Sequence, residues 1–212
     1  MYKTVLFDLD GTLTDPGLGI TNSVAYALKK YGIEVQDRKS LYPFIGPPLK
    51  DSFMKYYGFT EEKAMEAIWC YREYFADKGL FENEVYEGVK ELLQKIRLSG
   101  RKTVVATSKP EEFAVRILEH FDLLKYFDVV AGASMDEKRN KKSDVIRYAM
   151  EKGNFSAEGT VMIGDREHDI FGAKENGMDC IGVLYGYGDR NELESAGATY
   201  IAENVNDIFE LL

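Results

Sequence analysis

Two aspartates near the start of the chain, Asp8 and Asp10, are the first residues that could carry out chemistry. The apolar residues 5–7 before them are typical of a strand that is buried on both faces. In a strand, the i, i+2 spacing places the two side chains on the same face. Two carboxylates placed this way are costly unless a cation or a proton compensates their charge. On this stretch alone, an ordinary strand followed by an Asp-Gly turn at Gly11 remains an open interpretation.

Further polar residues follow later apolar runs. They are Thr107, Ser108 and Lys109 after residues 103–106, Lys141 and Lys142 before a helix that we expect Ser143 to cap, and Asp165 and Asp169 after residues 160–163. In open α/β sheets, ligands bind at the carboxyl ends of the strands, where such residues converge. We therefore predict one site that is built from four separate segments.

The carboxylates limit the chemistry of this predicted site. Four aspartates within a few ångströms cannot all be ionised unless a hard cation is bound, and oxygen ligands favour Mg²⁺. These aspartates are Asp8, Asp10, Asp165 and Asp169. Mg²⁺, hydroxyls and a lysine suit phosphoryl transfer, which depends mainly on positioning and charge neutralisation. One carboxylate can attack phosphorus to give an aspartyl-phosphate, while a second acts as general acid and then as general base.

The elements that must position these residues form two kinds of region. From Tyr86 onward, short apolar runs alternate with helical patterns, which predicts an α/β fold with a doubly wound parallel sheet. Between Asp15 and Phe81 the pattern is helical, with no convincing strand. We therefore predict a catalytic core of residues 1–14 and 82–212 and an inserted, all-helical cap of residues 15–81. The expected aromatic core of this cap consists of Trp69, Tyr71, Tyr74 and Phe75.

Composition excludes several classes of partner. The 212 residues include 27 basic and 36 acidic ones, and the formal net charge of −9 argues against nucleic acid and anionic membranes. No apolar run approaches the ~18 residues of a membrane-spanning helix, and we expect no signal peptide. Cys70 and Cys180 are expected to be buried free thiols, so we predict a cytoplasmic protein. Whether it is a monomer or a homodimer stays open.

Four segments together resemble the motifs of the haloacid dehalogenase (HAD) superfamily. They are residues 8–12, residues 107–109, Lys142 and residues 164–169. Their order and spacing resemble the phosphoglycolate phosphatase-like branch, whose Rossmann-like core carries a small helical cap of the C1 type. The resemblance spans the whole chain, although the usual Lys-Pro of the third motif is absent here.

The resemblance also implies a role for each site residue. Asp8 would be the nucleophile and a metal ligand, and Asp10 would be the general acid/base and bind metal through its carbonyl oxygen. Asp165 would complete the metal site, with Asp169 as a further acidic position. The phosphate would be held by Thr107, Ser108 and Lys142.

Several residues near the motifs leave alternatives. Lys141 is the alternative to Lys142, and Lys109 is expected to face solvent. Arg166 is expected to pair with Glu167, although it could also contact substrate. His168 is expected at the surface or at a helix start. Residues 186–188 are expected to form a turn, although they could also line the cleft. Lys50 could contact substrate, or the segment around it could be a rigid turn between cap helices.

The leading functional hypothesis is a Mg²⁺-dependent phosphatase that hydrolyses a small phosphate monoester through an aspartyl-phosphate. The resemblance suggests phosphoglycolate or a nucleoside 5′-monophosphate as the substrate. One alternative is a phosphomutase of the β-phosphoglucomutase type, and another is a non-catalytic phosphate-binding module.

Overall fold

The computed structural model of the protein describes residues 1–136 and 138–212. Its main sheet has six parallel strands in the order β5-β4-β1-β6-β7-β8, and a second sheet pairs β2 with β3. The strands are β1 (Thr4–Phe7), β2 (Thr14–Asp15), β3 (Glu84–Val85), β4 (Lys102–Pro110), β5 (Val129–Ala133), β6 (Thr160–Gly164), β7 (Asp179–Val183) and β8 (Tyr200–Ala202). The predicted α/β fold with a parallel sheet is confirmed.

Helices flank this sheet and also form a separate helical region. The α-helices are α1 (Gly17–Lys30), α2 (Leu49–Tyr57), α3 (Glu61–Tyr74), α4 (Val89–Leu98), α5 (Glu111–His120), α6 (Lys142–Gly153), α7 (Glu167–Glu175), α8 (Arg190–Ala196) and α9 (Asp207–Glu210). Short 3₁₀ segments lie at Arg38–Phe44 and Leu124–Tyr126, and a π-helical turn at Phe75–Gly79 follows α3.

The central strand β1 is entirely buried. It pairs with β4 on one side and β6 on the other, with Thr4 opposite both Lys102 and Thr160. A layer of apolar side chains from the sheet packs against α6, α7 and α8. Because β1 has a neighbour on both sides and no exposed residue, the backbone that leads to Asp8 is held rigidly.

The chain divides into two compact units. The α/β unit comprises residues 1–14 and 85–212, and the helical unit comprises residues 15–84. The assignment of residues 15–81 as a cap stays a prediction.

The interior of the helical unit is built from aromatic rings. Phe53 is fully buried, lies 5.1 Å from Phe44 between ring centroids and stacks on Phe59 at 5.8 Å. Tyr71 and Phe75 are buried, as expected. The placement of Trp69 in this core is wrong, because its side chain is 62% exposed.

Two predicted element boundaries need correction. The helix α6 begins at Lys142, and the Lys141 carbonyl already accepts from the Val145 N–H at 3.1 Å, so Ser143 lies inside the helix and is not its cap. The strand β4 continues beyond Ala106 to Pro110, with a shift of register after Thr107.

Two further expectations concern the burial of the cysteines and the absence of membrane-spanning helices. Both cysteines are free, but only Cys180 is buried, whereas Cys70 is partly exposed. Within the part of the chain that the structure describes, no helix has the length and apolar character needed to cross a membrane.

Candidate active site

The turn after β1 carries both aspartates of the first motif into the protein interior. Asp8 donates its backbone N–H to the Ile163 carbonyl at 2.9 Å, and its residue exposure is 4%. Asp10 is 8% exposed. Gly11 has a φ of +83°, and an added Cβ would lie 2.1 Å from Asp165 Oδ2. Glycine at this position therefore permits both the turn and the close approach of the Asp165 carboxylate.

Asp165 and Asp169 reach the same place from the end of β6 and the start of α7. Both are buried. One carboxylate oxygen of Asp8, one of Asp165 and one of Asp169 lie within 4.8 Å of one another. Three buried carboxylates form an all-oxygen donor set, which fits a hard divalent cation. The carboxylate of Asp10 does not belong to this group, and its role as a ligand through the backbone carbonyl stays a prediction.

Lys142 is the lysine that the structure places among these carboxylates. Its Nζ lies 2.8 Å from Asp8 Oδ1 and 2.8 Å from Asp169 Oδ1, and it donates to the Ala106 carbonyl at 3.0 Å. The neighbouring Lys141 is exposed. Of the two candidates for the third motif, only Lys142 lies at the site.

The charges at the site are only partly balanced by Lys142. Burial, followed by the charges of Asp169 and Asp8, holds the pKa of Asp165 well above its usual range. Burial also raises the pKa of Asp169 to about 6, with Lys142 opposing this effect and Asp8 adding to it. For Lys142, burial lowers the pKa, but the two carboxylates outweigh burial and the net shift is upward. The excess of negative charge is a second reason why a cation fits here.

Thr107 and Ser108, the predicted phosphate-binding residues, lie in the last part of β4, next to β1. The Thr107 hydroxyl is buried and accepts from the Lys109 N–H at 3.2 Å, while Ser108 is half-buried. Their role in phosphate binding stays a prediction.

Comparison with known proteins agrees with this arrangement. A family model described as haloacid dehalogenase-like hydrolase matches residues 5–183. The chain belongs to this family. The resemblance inferred from the motifs is therefore confirmed, and so is the expectation of a HAD-family phosphatase.

Individual members of the HAD family differ in their names. A 5′-nucleotidase of Pseudomonas aeruginosa is 44% identical, over 100% of this chain and 96% of the relative. The tyrosine-protein kinase PtkA of Mycobacterium tuberculosis is 38% identical, over 99% of this chain and 72% of the relative. The crystal structure of a predicted phosphatase from Clostridium acetobutylicum has a TM-score of 0.98 at 53% identity, over 100% of this chain and 98% of that chain.

The expectation that Lys109 of this HAD chain faces solvent is wrong. Its Nζ lies 2.8 Å from Asp10 Oδ2, and the two side chains are only 5% and 10% exposed. The physical reason is that β4 extends to Pro110, so Lys109 belongs to the buried strand end rather than to the first turn of α5. Burial raises the pKa of Asp10, and Lys109 opposes that shift.

Residues 186–188, which were expected to form a turn, lie together with Tyr185 against the first and fourth motifs. The Tyr187 N–H donates to Asp165 Oδ2 at 2.8 Å, and the Tyr185 hydroxyl donates to the Thr12 carbonyl at 2.9 Å. An added Cβ on Gly186 would lie 2.4 Å from Asp165 Cβ. The only sequence signal for this contact is the pair of glycines directly after an apolar strand.

The structure also places three other residues for which the sequence left alternatives. Arg166 pairs with Glu192 at 2.8 Å, a partner that the sequence did not indicate. Glu192 also accepts from the Glu167 N–H at 2.9 Å and thus fixes the start of α7. His168 is half-buried, and burial lowers its pKa. Lys50, in the helical unit, pairs with Glu61 at 2.9 Å.

Proposed function

We propose that this chain is a Mg²⁺-dependent phosphatase that hydrolyses small phosphate monoesters through an aspartyl-phosphate on Asp8. The observation that carries the proposal is the buried group formed by Asp8, Asp165 and Asp169, with Asp10 buried two residues after the proposed nucleophile. Buried carboxylates of this kind are costly unless their charge has a function or a partner.

The proposed reaction has two steps. In the first, a carboxylate oxygen of Asp8 forms a bond to phosphorus, the bond from phosphorus to the leaving-group oxygen breaks, and Asp10 gives a proton to that oxygen. In the second, Asp10 takes a proton from water as the water oxygen attacks phosphorus. Inorganic phosphate leaves, and Asp8 returns to its carboxylate form.

The remaining site residues bind the phosphate and the metal in this proposal. Mg²⁺ would be held by Asp8, the Asp10 carbonyl, Asp165 and Asp169, and Thr107, Ser108 and Lys142 would hold the phosphate. A bound Mg²⁺ supplies positive charge that offsets both the carboxylates and the phosphoryl oxygens. Lys142 suits its role because its Nζ already lies 2.8 Å from the nucleophile.

We propose a nucleoside 5′-monophosphate or phosphoglycolate as the substrate. The 44% identical relative that is named a 5′-nucleotidase favours the nucleotide. A cytoplasmic location and the action of residues 15–81 as a cap belong to the same proposal.

A phosphate-release screen tests this function. Purified wild-type protein is assayed with nucleoside monophosphates, phosphoglycolate and other small phosphate esters, with Mg²⁺ and with excess chelator. We expect turnover that requires Mg²⁺ and is lost in Asp8→Asn, whose circular dichroism stays that of the wild type. Full activity in chelator would contradict the metal assignment, and wild-type activity in Asp8→Asn would contradict the nucleophile.

The same preparation separates the alternatives. A phosphomutase would isomerise a sugar 1-phosphate faster than it releases phosphate from it, and a binding module would show no turnover with any ester. Because one relative is named a tyrosine-protein kinase, incubation with ATP followed by detection of phosphotyrosine belongs in the screen. Phosphotyrosine formation without phosphate release would contradict the proposal.

A further inference from the structure

Lys109 forms a third buried ion pair beside the two of Lys142, and the four-motif description leaves Lys109 without a role. Its Nζ lies 2.8 Å from Asp10 Oδ2, and both side chains are almost inaccessible to solvent. An exposed lysine–carboxylate pair contributes little, but a buried one holds both groups in a defined geometry because each charge needs its partner. The pair therefore fixes the orientation of the Asp10 carboxyl group.

The two oxygens of Asp10 have different surroundings. Oδ2 is paired with Lys109, whereas Oδ1 is buried and has no hydrogen-bond partner among the described residues. A buried oxygen without a partner is unusual in a folded protein and calls for an explanation. Oδ1 is the oxygen that remains available to a group entering the site.

We propose that Lys109 is a positioning residue, which holds Asp10 by Oδ2 so that Oδ1 transfers the proton to the leaving group. This inference rests on the proposed function. In the acid form, Oδ1 carries the proton and Oδ2 accepts a hydrogen bond from the Lys109 ammonium group. As the bond from phosphorus to the leaving-group oxygen breaks, the proton moves from Oδ1 to that oxygen, and Asp10 becomes the carboxylate of the ion pair. That new charge arises next to the Lys109 ammonium group, which stabilises it without moving.

The rigidity of the surroundings supports this role. Lys109 lies at the end of β4, which pairs with β1 on one side and β5 on the other, and its N–H donates to the Thr107 hydroxyl. Asp10 is held by the tight turn in which the Gly11 N–H donates to the Thr14 carbonyl at 2.8 Å. Both members of the pair are thus attached to firmly held backbone, which is the arrangement that precise orientation of a catalytic group requires.

The proposal predicts a dependence on the leaving group. Phenolate accepts a proton as it leaves, whereas p-nitrophenolate is a stable anion and departs with little assistance. A group that orients the general acid should therefore matter for phenyl phosphate much more than for p-nitrophenyl phosphate. A group that only supports the fold, or only binds phosphate, would affect both esters equally.

The test compares kcat and KM of wild type, Lys109→Met and Lys109→Arg with these two esters in saturating Mg²⁺. We expect Lys109→Met to lower kcat for phenyl phosphate about tenfold more than kcat for p-nitrophenyl phosphate, with KM little changed. Lys109→Arg should recover part of the loss. Asp10→Asn provides the reference pattern. Lys152→Met is the matched control, because Lys152 also pairs with a carboxylate, that of Glu111, at 2.7 Å, and its other hydrogen bond goes to the Val130 carbonyl.

Equal losses with both esters in Lys109→Met would overturn the proposal, and so would a wild-type ratio of the two kcat values. If Lys109→Met is not folded by circular dichroism, Lys109→Gln provides the same comparison. Failure of the proposed function would give a different result from failure of this inference, namely wild-type turnover in Asp8→Asn with either ester.

Discussion

The interiors of the two units are built differently. Among the described residues, the α/β unit buries six charged side chains, Asp8, Asp10, Lys109, Lys142, Asp165 and Asp169, whereas the helical unit buries Arg72 and otherwise mostly apolar and aromatic groups. A packed aromatic interior stabilises a fold, whereas buried ion pairs contribute weakly or not at all. The comparison teaches that the α/β unit gives up stability at the carboxyl ends of its strands, where most of its buried charges lie. In the described part of the helical unit, only Arg72 carries a comparable cost.

The largest effect that we expect is a pure packing effect in the helical unit. Phe53→Ala removes a fully buried ring that lies against Phe44 and Phe59. The free energy of unfolding should fall by about 4 kcal/mol because of the lost transfer energy and the remaining cavity. Chemical denaturation measures this value. A loss below about 1 kcal/mol would contradict the view that this unit depends on aromatic packing.

The next effect distinguishes a buried charge from an exposed one on the same helix. Lys142→Met leaves Asp8 and Asp169 without their cation, and without metal it should cost about 3 kcal/mol of stability. Lys152→Met, also on α6, is the control and should cost about 1 kcal/mol or less, since Lys152 is partly exposed. Denaturation in chelator compares the two. Similar losses of stability in the two variants would contradict the view that a buried charge pair matters more to stability than a partly exposed one.

A pH dependence follows from the raised pKa of Asp169. An acid whose pKa rises from 3.8 to about 6 on folding binds its proton more tightly in the folded state. The contribution of the protonated acid to the free energy of unfolding is therefore complete below the pKa of the unfolded state. It is lost as the pH rises through the pKa of the folded state.

In chelator, the wild type should lose stability relative to Asp169→Asn as the pH is raised from 4 to 7. The difference between their free energies of unfolding should change by on the order of 2 kcal/mol in favour of the variant. Added Mg²⁺ should reduce this shift, because it stabilises the ionised carboxylate. A difference that stays constant across this pH range would show that Asp169 does not titrate in it.

A smaller effect concerns the contact of residues 185–188 with Asp165. Gly186→Ala introduces a methyl group where only 2.4 Å is available to Asp165 Cβ, so the carboxylate must move. The affinity for Mn²⁺, measured by calorimetry, should fall about tenfold. Gly153→Ala is the control, since its methyl group would meet the Phe155 ring at 2.7 Å, away from the motif residues. An unchanged affinity in Gly186→Ala would contradict the positioning of Asp165 by this segment.

The smallest effect concerns Trp69, an aromatic side chain that was wrongly assigned to the interior. Trp69 is largely exposed, with the Arg72 guanidinium 5.6 Å from its ring. Trp69→Ala should therefore change the free energy of unfolding by about 0.5 kcal/mol. A loss as large as that of Phe53→Ala would show that the ring is buried in solution.

The sequence predicted the parts of the site that lie at strand ends. Asp8, Asp10 and Asp165 follow runs of apolar residues, and a run that is buried on both faces is visible without any tertiary information. The parallel sheet follows from the alternation of elements, and convergence of the carboxyl ends then follows from the sheet. Lys142 was found because of its position beside a helix start, although the helix begins one residue earlier than expected.

The partners of these residues were beyond the reach of the sequence. Lys109 is followed by a proline and a helix, so a strand that continues through it leaves no periodic signal. The pairing of Arg166 with Glu192 joins residues on different elements, and nothing in the local sequence ranks it above the neighbouring Glu167. Trp69 lies beside the helical stripe of Ala64, Ile68, Tyr71 and Phe75 rather than on it, so its assignment to the interior depended only on its aromatic character.

The position of β1 in the sheet has a consequence for how the chain folds. Thr4 lies opposite Lys102 and Thr160, so the strand that leads to Asp8 is completed by segments about a hundred and more residues later in the chain. Pairings over such separations form slowly, because a long loop must close before any contact compensates for it. During synthesis, β1 leaves the ribosome well before β6, so it obtains its second neighbour late. Asp8, the proposed nucleophile, is therefore locked into place only after residues far behind it in the chain have been made.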